Sequence, residues 1–141
     1  MRKMNAEERK RFLLGRARTA VLATVRPDGR PHVAPIWFDL DGETVVFTTW
    51  HSSVKARNIA NDPRVSLCVD DERPPFAFVV MEGEAVVREE DPDLLYWASR
   101  IAGRYMGRDQ AESYGKRNGV EGELLVRVRP TRIVARRNAA D

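Results

Sequence analysis

The stretch of sequence that decides the fold runs from Asp28 to Asp70 and reads DGRPHVAPIWFDLDGETVVFTTWHSSVKARNIANDPRVSLCVD. Its runs of β-branched and apolar residues alternate with turn residues and enclose one amphipathic segment. Ser52 or Ser53 suits the N-cap of that segment, and Asp62-Pro63 suits its end. The stretch therefore predicts two strands, a short helix and a further strand: His32–Phe38, Glu43–Thr49, Ser53–Asn61 and Arg64–Asp70.

The rest of the chain extends this pattern in both directions. Thr19–Val25 is apolar on both faces, which predicts a central strand buried on both sides, and a Pro-Asp-Gly turn connects it to the next strand. With the third strand these form a predicted three-stranded antiparallel meander. Pro31 and Pro35 predict that the middle strand is irregular or has an open edge. The remaining predicted elements are a strand with a bulge at Gly83, a closing strand and three helices: Phe76–Arg88, Leu124–Ala135, Ala6–Leu14, Asp91–Tyr105 and Gln110–Lys116.

These elements predict a mainly β fold with flanking helices, in which six antiparallel strands form a small closed or split β-barrel. A sheet of this length must close or pair in order to hide its edges, and dimerisation is a natural partner of that solution. The 141 residues fit a single domain, 1–141, that buries roughly two thirds of its unfolded surface.

Composition excludes several classes of protein. With 43% hydrophobic and 32% charged residues, the chain is typical of a folded globular domain and not of a disordered one. No apolar run approaches the roughly 20 residues that cross a bilayer, and the N-terminus lacks the apolar core of a signal peptide, so we expect a cytoplasmic protein with no membrane partner. The single cysteine, Cys68, is interpreted as a buried inert thiol, and the absence of a Cys/His cluster predicts no metal site.

The charge balance leaves three kinds of partner open. A net charge of +3 and a pI of about 9.3 suit nucleic acid, a membrane surface or an anionic small molecule. No recognition-helix, zinc-finger or aromatic RNA-binding motif is present, which argues against nucleic acid. The plain alternative for any one arginine is a solvated, salt-bridged surface.

The start of the Ser53–Asn61 helix has the chemistry of an anion site. The first amides of a helix lack intrahelical acceptors, and the dipole adds about half a positive charge there. Ser53 adds a hydroxyl, Lys55 a point charge and Arg57 a planar fork for phosphate oxygens. The alternative interpretation is an ordinary capped surface helix with solvated charges.

A slot for a flat ring is predicted beside this helix. Val33, Pro35 and Trp37 share one face of their strand, and Thr49 directly precedes the serine and lysine cluster. Apolar and aromatic walls next to an anion site suit a planar ring with a phosphorylated tail. Core packing is the alternative role for the aromatic residues, and the absence of a Gly-rich phosphate loop argues against a Rossmann fold.

These motifs resemble those of the flavin-binding split-barrel proteins related to pyridoxamine 5'-phosphate oxidase, and among them the small members that use the deazaflavin coenzyme F420. The similarity covers roughly residues 6 to 135 at consistent spacing. The segments that carry it are listed by their ranges: Ala20–Val25, Asp28–Phe38, Val46–Thr49, Ser53–Ile59, Asp62–Val65, Glu82-Gly83 and Leu125–Ile133.

The resemblance implies a homodimer of six-stranded antiparallel split β-barrels of the Greek-key type, with two cofactors in grooves at the subunit interface. Lys55 and Arg57, with Ser53 and Asn58 nearby, fall on positions where relatives bind the cofactor phosphate. Val33, Pro35 and Trp37 fall where relatives lay the ring. Nothing matches the C-terminal arginine-bearing substrate segment of pyridoxamine 5'-phosphate oxidase itself, so vitamin B6 chemistry is not expected.

The resulting functional hypothesis is an F420-dependent oxidoreductase that passes hydride to a small electron-poor organic substrate. The alternatives are an FMN-dependent oxidase or reductase on the same barrel, and a non-enzymatic flavin or deazaflavin carrier. No catalytic residue stands out from the sequence. Tyr105, Tyr114 and His51 are candidate proton donors.

Overall fold

The computed structural model describes residues 1–141. Its eight strands are β1 to β8, in the order Arg2–Lys3, Ala20–Val25, Pro31–Ile36, Asp39–Asp41, Thr44–Trp50, Arg64–Asp71, Ala77–Val87 and Glu123–Arg137. Its four α-helices are α1 to α4, in the order Ala6–Gly15, Val54–Asn61, Leu94–Met106 and Ala111–Asn118. A single 3₁₀ turn, Arg108–Gln110, leads into α4.

All strands belong to one antiparallel sheet with the order β3-β2-β6-β7-β8-β5-β4, and β1 pairs with the end of β8. The strands at the two ends of this order, β3 and β4, are separated in the chain only by Trp37 and Phe38. The sheet must therefore curl until its two edges meet at this corner, although no β3–β4 ladder closes it. This is the split-barrel architecture, with an open seam between β3 and β4.

Two predictions about the sheet are wrong. The predicted meander would pair β3 with β5, but β5 pairs with β4 and β8, because the Trp37-Phe38 corner turns the chain away before β4 begins. The predicted six strands become eight, because β1 has two residues and β4 has three. The predicted open edge at β3 agrees with its place at one end of the sheet.

The core fills the inside of the curled sheet. Its largest fully buried side chains include Phe38 and Phe47, and the cluster around them draws on strands β2 to β8 and on Leu13 of α1. The prediction that β2 is buried on both faces is wrong, since Ala20, Leu22 and Thr24 point into the core while Val21 is exposed. The outward face of β2 is therefore apolar and uncovered within one chain.

Side-chain caps start two of the four helices, α1 and α2, whereas α3 and α4 have none. Asn5 and Glu8 form a reciprocal capping box at the start of α1, and Ser53 caps α2. In α3 the residues Trp97, Ala98, Ile101 and Ala102 form an apolar stripe that is buried. Leu95, however, is 50% exposed.

The long antiparallel β7–β8 pair carries the predicted bulge. The pairing register shifts between Glu82 and Gly83, so that Gly83 lies opposite Pro130 and Thr131 is left over on β8. A Cβ atom at Gly83 would lie 2.4 Å from the Arg129 carbonyl oxygen. Only glycine allows the two backbones to approach this closely.

Cys68 lies half-buried on β6, and burial raises the pKa of its thiol, as expected for an unreactive side chain. No helix combines the length and apolar character needed to cross a bilayer. No group of three or more His, Cys, Asp or Glu side chains is arranged to hold a metal ion.

Candidate functional site

The start of α2 is built by a short hydrogen-bonded turn after β5. The Ser53 amide donates to the Trp50 carbonyl at 3.0 Å, which reverses the chain, and the Ser53 Oγ accepts from the Ala56 amide at 3.1 Å. A 2.7 Å hydrogen bond joins the hydroxyls of Thr49 and Ser53. Thr49 is buried on β5, so this bond holds the start of the helix against that strand.

Lys55 and Arg57 stand on the first turns of this helix without ion-pair partners. Other basic side chains of the protein form ion pairs with carboxylates; Arg64, for example, lies 2.7 Å from Asp62. Arg57 is exposed and Lys55 half-buried, and neither lies within ion-pair distance of a carboxylate. The helix start therefore offers uncompensated positive charge to an anion.

Asn58 lies behind this surface. Its side chain is buried, and its amide nitrogen donates to the Thr24 hydroxyl at 3.0 Å. This bond fastens α2 to β2 and leaves the Asn58 side chain turned away from solvent. Next to it, His32 lies across from Thr24 in the β2–β3 ladder, and its Nδ1 is buried without a hydrogen-bond partner.

The predicted ring face is open to solvent within one chain. Val33 is 63% exposed and Trp37 is 42% exposed, with Pro35 exposed between them. One face of the Trp37 indole stacks on Tyr105 of α3, with ring centroids 4.9 Å apart and planes within 4°. This packing fixes the plane of the indole and leaves its exposed part available to a flat ligand.

The three candidate proton donors differ in their surroundings. The Tyr105 hydroxyl donates to the Arg18 carbonyl at 2.7 Å and accepts from the Phe38 amide at 3.2 Å, and burial raises the pKa of this phenol. Tyr105 thus joins α3 to the corner of the sheet. Tyr114 lies on α4 with the Arg117 guanidinium over its ring, whereas His51 is exposed beside Trp50 at the start of α2. His51 is the nearest of the three to the anion cluster.

Sequence reasoning missed one acidic residue at the site. Glu123 opens β8 directly across from Trp50, and Lys55 approaches it from α2. Burial raises the pKa of the Glu123 carboxyl, while the Thr48 hydroxyl and the Lys55 charge act in the opposite direction. Only the β5–β8 pairing reveals this neighbourhood, so no local sequence signal could have found it.

The structure brings these residues together in two groups. Thr49, Ser53, Lys55 and Arg57 gather at the start of α2, whereas Trp37 belongs to the corner under α3. No hydrogen bond, ion pair or aromatic contact within one chain joins the two groups. A groove of about 550 Å³ lies on the sheet along Ala23, Ser66 and Glu82, between the β2–β3 turn and the β7–β8 bulge.

The donor set fits a phosphorylated planar group. Two unpaired cations at a helix start suit a phosphate, and the exposed apolar strand face suits a ring. The Nδ1 atom of His32, across from Thr24, is a further buried polar atom that has no hydrogen-bond partner within the chain.

Comparison with protein families decides the wider relationship. The family model described as pyridoxamine 5'-phosphate oxidase matches residues 6–136, nearly the whole chain. The chain belongs to this family. Members of this family are flavin-binding proteins with the split-barrel fold, which is the fold found here. No curated protein matches the chain.

Solved structures similar to this chain include proteins of different kinds. A conserved hypothetical protein, Rv2991 of Mycobacterium tuberculosis, is 28% identical with a TM-score of 0.84, over 96% of this chain and 86% of its own. An F420 reductase is 32% identical with a TM-score of 0.65, over 87% and 94%. HutZ, the heme storage protein of Vibrio cholerae, is 21% identical with a TM-score of 0.72, over 94% and 96%, and shows the fold alone.

Proposed function

We propose that this protein is an F420-dependent oxidoreductase that reduces a small electron-poor organic substrate. The observation that carries the proposal is the uncompensated charge of Lys55 and Arg57 at a capped helix start, near strands with exposed apolar residues. The 32% identity to an F420 reductase over most of both chains favours the deazaflavin among the family's cofactors.

Each residue has a defined task in this proposal. Lys55 and Arg57, with the first amides of α2, bind the cofactor phosphate, and Thr49 and Ser53 hold the helix start in place. Val33, Pro35 and Trp37 support one face of the ring and exclude water from it. When bound, the deazaflavin supplies hydride transfer. Asn58 positions α2 from behind through Thr24.

We propose further that two chains form a homodimer with the cofactor sites at their interface. The ladder registers align apolar side chains in one row across the outer face of the sheet, where the exposed or half-buried members are Pro35, Val21, Cys68, Val80 and Val134. A second copy covering this row would also bring new residues toward the Val33–Trp37 face.

Replacing Val21 by arginine is expected to turn a dimer into a monomer, because the charge would lie in the centre of an interface burying more than about 1,000 Å². Analytical ultracentrifugation at micromolar concentration measures this change. Val120→Arg is the matched control, since Val120 is similarly exposed but lies after α4. A wild-type monomer with cofactor bound would contradict the proposed dimer.

The cofactor is identified by binding. The deazaflavin carries an oligoglutamate tail beyond its phosphate, and several arginines of the terminal segments lack carboxylate partners, among them Arg11, Arg129 and Arg132. Each exposed contact contributes on the order of 0.2–1 kcal/mol, and several contacts together would raise the affinity for the deazaflavin by about tenfold. We expect the deazaflavin to bind more tightly than FMN, with an advantage that shrinks as salt rises, because the Debye length is about 8 Å at physiological ionic strength.

Fluorescence titration with both cofactors at low and high salt, together with absorbance and mass analysis of the ligand that co-purifies, measures the preference. FMN binding as tightly at low salt would instead support the FMN-dependent oxidase or reductase. Riboflavin, which lacks the phosphate, serves as the control for the ring alone.

A carrier is the second candidate function, because ligand capture requires the same residues and the same fold occurs in a heme storage protein. A turnover assay distinguishes a carrier from an enzyme. Reduced deazaflavin mixed with the protein and a panel of enones and quinones should be oxidised faster than without protein if the chain is an enzyme. Tight binding without any acceleration would favour the carrier.

A further inference from the structure

Glu123 lies at the start of β8, beside the candidate phosphate site. It is the first residue of β8 and lies directly across from Trp50, on the same side of the β5–β8 pair as Thr48. The turn after Trp50 is closed by a 2.8 Å hydrogen bond from the His51 amide to the Gly122 carbonyl. Glu123 therefore lies beside the turn that leads into α2, the helix that carries Lys55.

The carboxyl and the Lys55 ammonium affect each other without an ion pair. The Lys55 charge acts on the ionisation of Glu123, yet the two side chains do not come within ion-pair distance. A phosphate held by Lys55 would therefore lie close to a half-buried carboxyl.

The other ionisable groups around Glu123 come from three segments. Exposed His51 lies in the turn before α2, and Glu121 lies two residues before Glu123. A cavity of about 390 Å³ separates Glu123 from the loop before α3, which contributes Arg88, Glu89, Glu90 and Asp91. Asp91 is neutralised by Arg127 and Arg88. Lys55 is the cation whose charge favours the ionised form of this carboxyl.

We propose that Glu123 couples phosphate binding at Lys55 to uptake of one proton. The inference rests on the proposed function, because the phosphate is that of the flavin or deazaflavin. A second negative charge beside a half-buried carboxylate disfavours its ionised form. Binding therefore forms one O–H bond on Glu123 with a proton taken from solvent, and no other reactant is needed.

The direction of the pH dependence follows. In the free protein the pKa of Glu123 already lies above its usual value of 4.5, and a bound phosphate raises it further. Binding of the phosphate is stronger when Glu123 is protonated. The affinity for a phosphorylated ligand should therefore fall as the pH rises from the pKa of Glu123 in the free protein to its higher pKa in the complex. The affinity for a ligand without a phosphate should not depend on whether Glu123 is protonated.

The first experiment needs no cofactor. Titration of the Glu123 carboxyl by carbon-13 NMR is carried out on the wild type, on Lys55→Ala and on the wild type with inorganic sulfate. Loss of the Lys55 charge, or its neutralisation by sulfate, should raise the pKa of Glu123 by about half a unit or more. An unchanged pKa in both cases would overturn the inference whether or not a cofactor binds.

The second experiment compares FMN affinity of the wild type and Glu123→Gln between pH 4.5 and pH 8. The ratio of their dissociation constants removes the titration of the FMN phosphate itself. We expect the dissociation constant of the wild type divided by that of the variant to be near one at pH 4.5. As the pH rises to 8, this ratio should increase by about threefold or more, which corresponds to a shift of half a pKa unit in Glu123. A flat ratio would overturn the inference.

Two controls separate the coupling from a structural effect. Glu121→Gln alters a neighbouring exposed carboxyl and should leave the ratio flat. Riboflavin should bind both proteins equally, because it has no phosphate that could repel the carboxylate. If neither FMN nor the deazaflavin binds, the proposed function fails, and the NMR titration with sulfate still decides the role of Glu123.

Discussion

Replacing Lys55 by alanine is expected to weaken the binding of a phosphorylated flavin or deazaflavin by about ten- to a hundredfold. A charge-assisted hydrogen bond to phosphate contributes roughly 1.5–3 kcal/mol, and each 1.4 kcal/mol is tenfold in affinity. Lys55 makes no direct ion pair that the phosphate would have to break first. Fluorescence titration of the wild type and the variant measures the loss.

The matched control is Lys116→Ala on α4, where the lysine is exposed and pairs with Glu112 at 3.0 Å. It should leave the dissociation constant unchanged, since its contribution is confined to a surface ion pair. Equal affinities of Lys55→Ala and the wild type, with both folded, would remove Lys55 from the site. Arg57→Ala would then be the next variant to test.

Replacing Asp91 by asparagine is expected to lower the free energy of unfolding by about 3 kcal/mol. The Asp91 side chain is only 2% exposed and binds Arg127, which is itself mostly buried, and one of its carboxylate oxygens accepts from the Asp93 amide at 3.0 Å. Removing one partner of a buried pair leaves the other charge uncompensated, which costs about 3–5 kcal/mol. Asp93 remains as a second partner of Arg127 and keeps the loss at the lower end.

Urea unfolding of Asp91→Asn and of Asp93→Asn tests this prediction. Asp93 is 53% exposed, so its variant should lose less than about 1 kcal/mol. Burial alone would raise the pKa of Asp91, but the hydrogen bonds from Arg127 and the Asp93 amide outweigh it and hold the pKa below 3.8. The stabilisation is therefore complete above pH 3.8 and lost below it, so the deficit of Asp91→Asn should shrink in acid. Equal losses in the two variants would refute the buried pair.

Most elements of this fold are predictable because their signals are local. Gly42 and the Pro-Asp-Gly turn separate alternating apolar runs, and Ser53 caps α2 as its sequence predicts. The two-residue β1 and the three-residue β4 are too short to carry any pattern and exist only because a partner strand pairs with them. The β3–β5 pairing was wrong for a related reason, since nothing local in Trp37-Phe38 marks it as the point where the two edges of the sheet meet.

The candidate site shows the same division. The cations of α2 and the apolar face of β3 were predictable, because periodicity alone places them on exposed surfaces. The inward Asn58–Thr24 bond was not, since it depends on how α2 packs against β2. Glu123 escaped notice because it lies far from Lys55 in the sequence and reaches it only through a ladder between distant strands.

The position of β8 in the sheet has a consequence for how the chain is made. β8 pairs with β7, β5 and β1, and the ribosome synthesises it after all three. Until then, β5 and β7 each have an unsatisfied edge, and the inner face of the barrel is exposed to the cellular environment. Sheets of distant strands also fold slowly, in milliseconds to seconds. The nascent protein is therefore expected to rely on chaperones that shield strand edges until β8 has been synthesised.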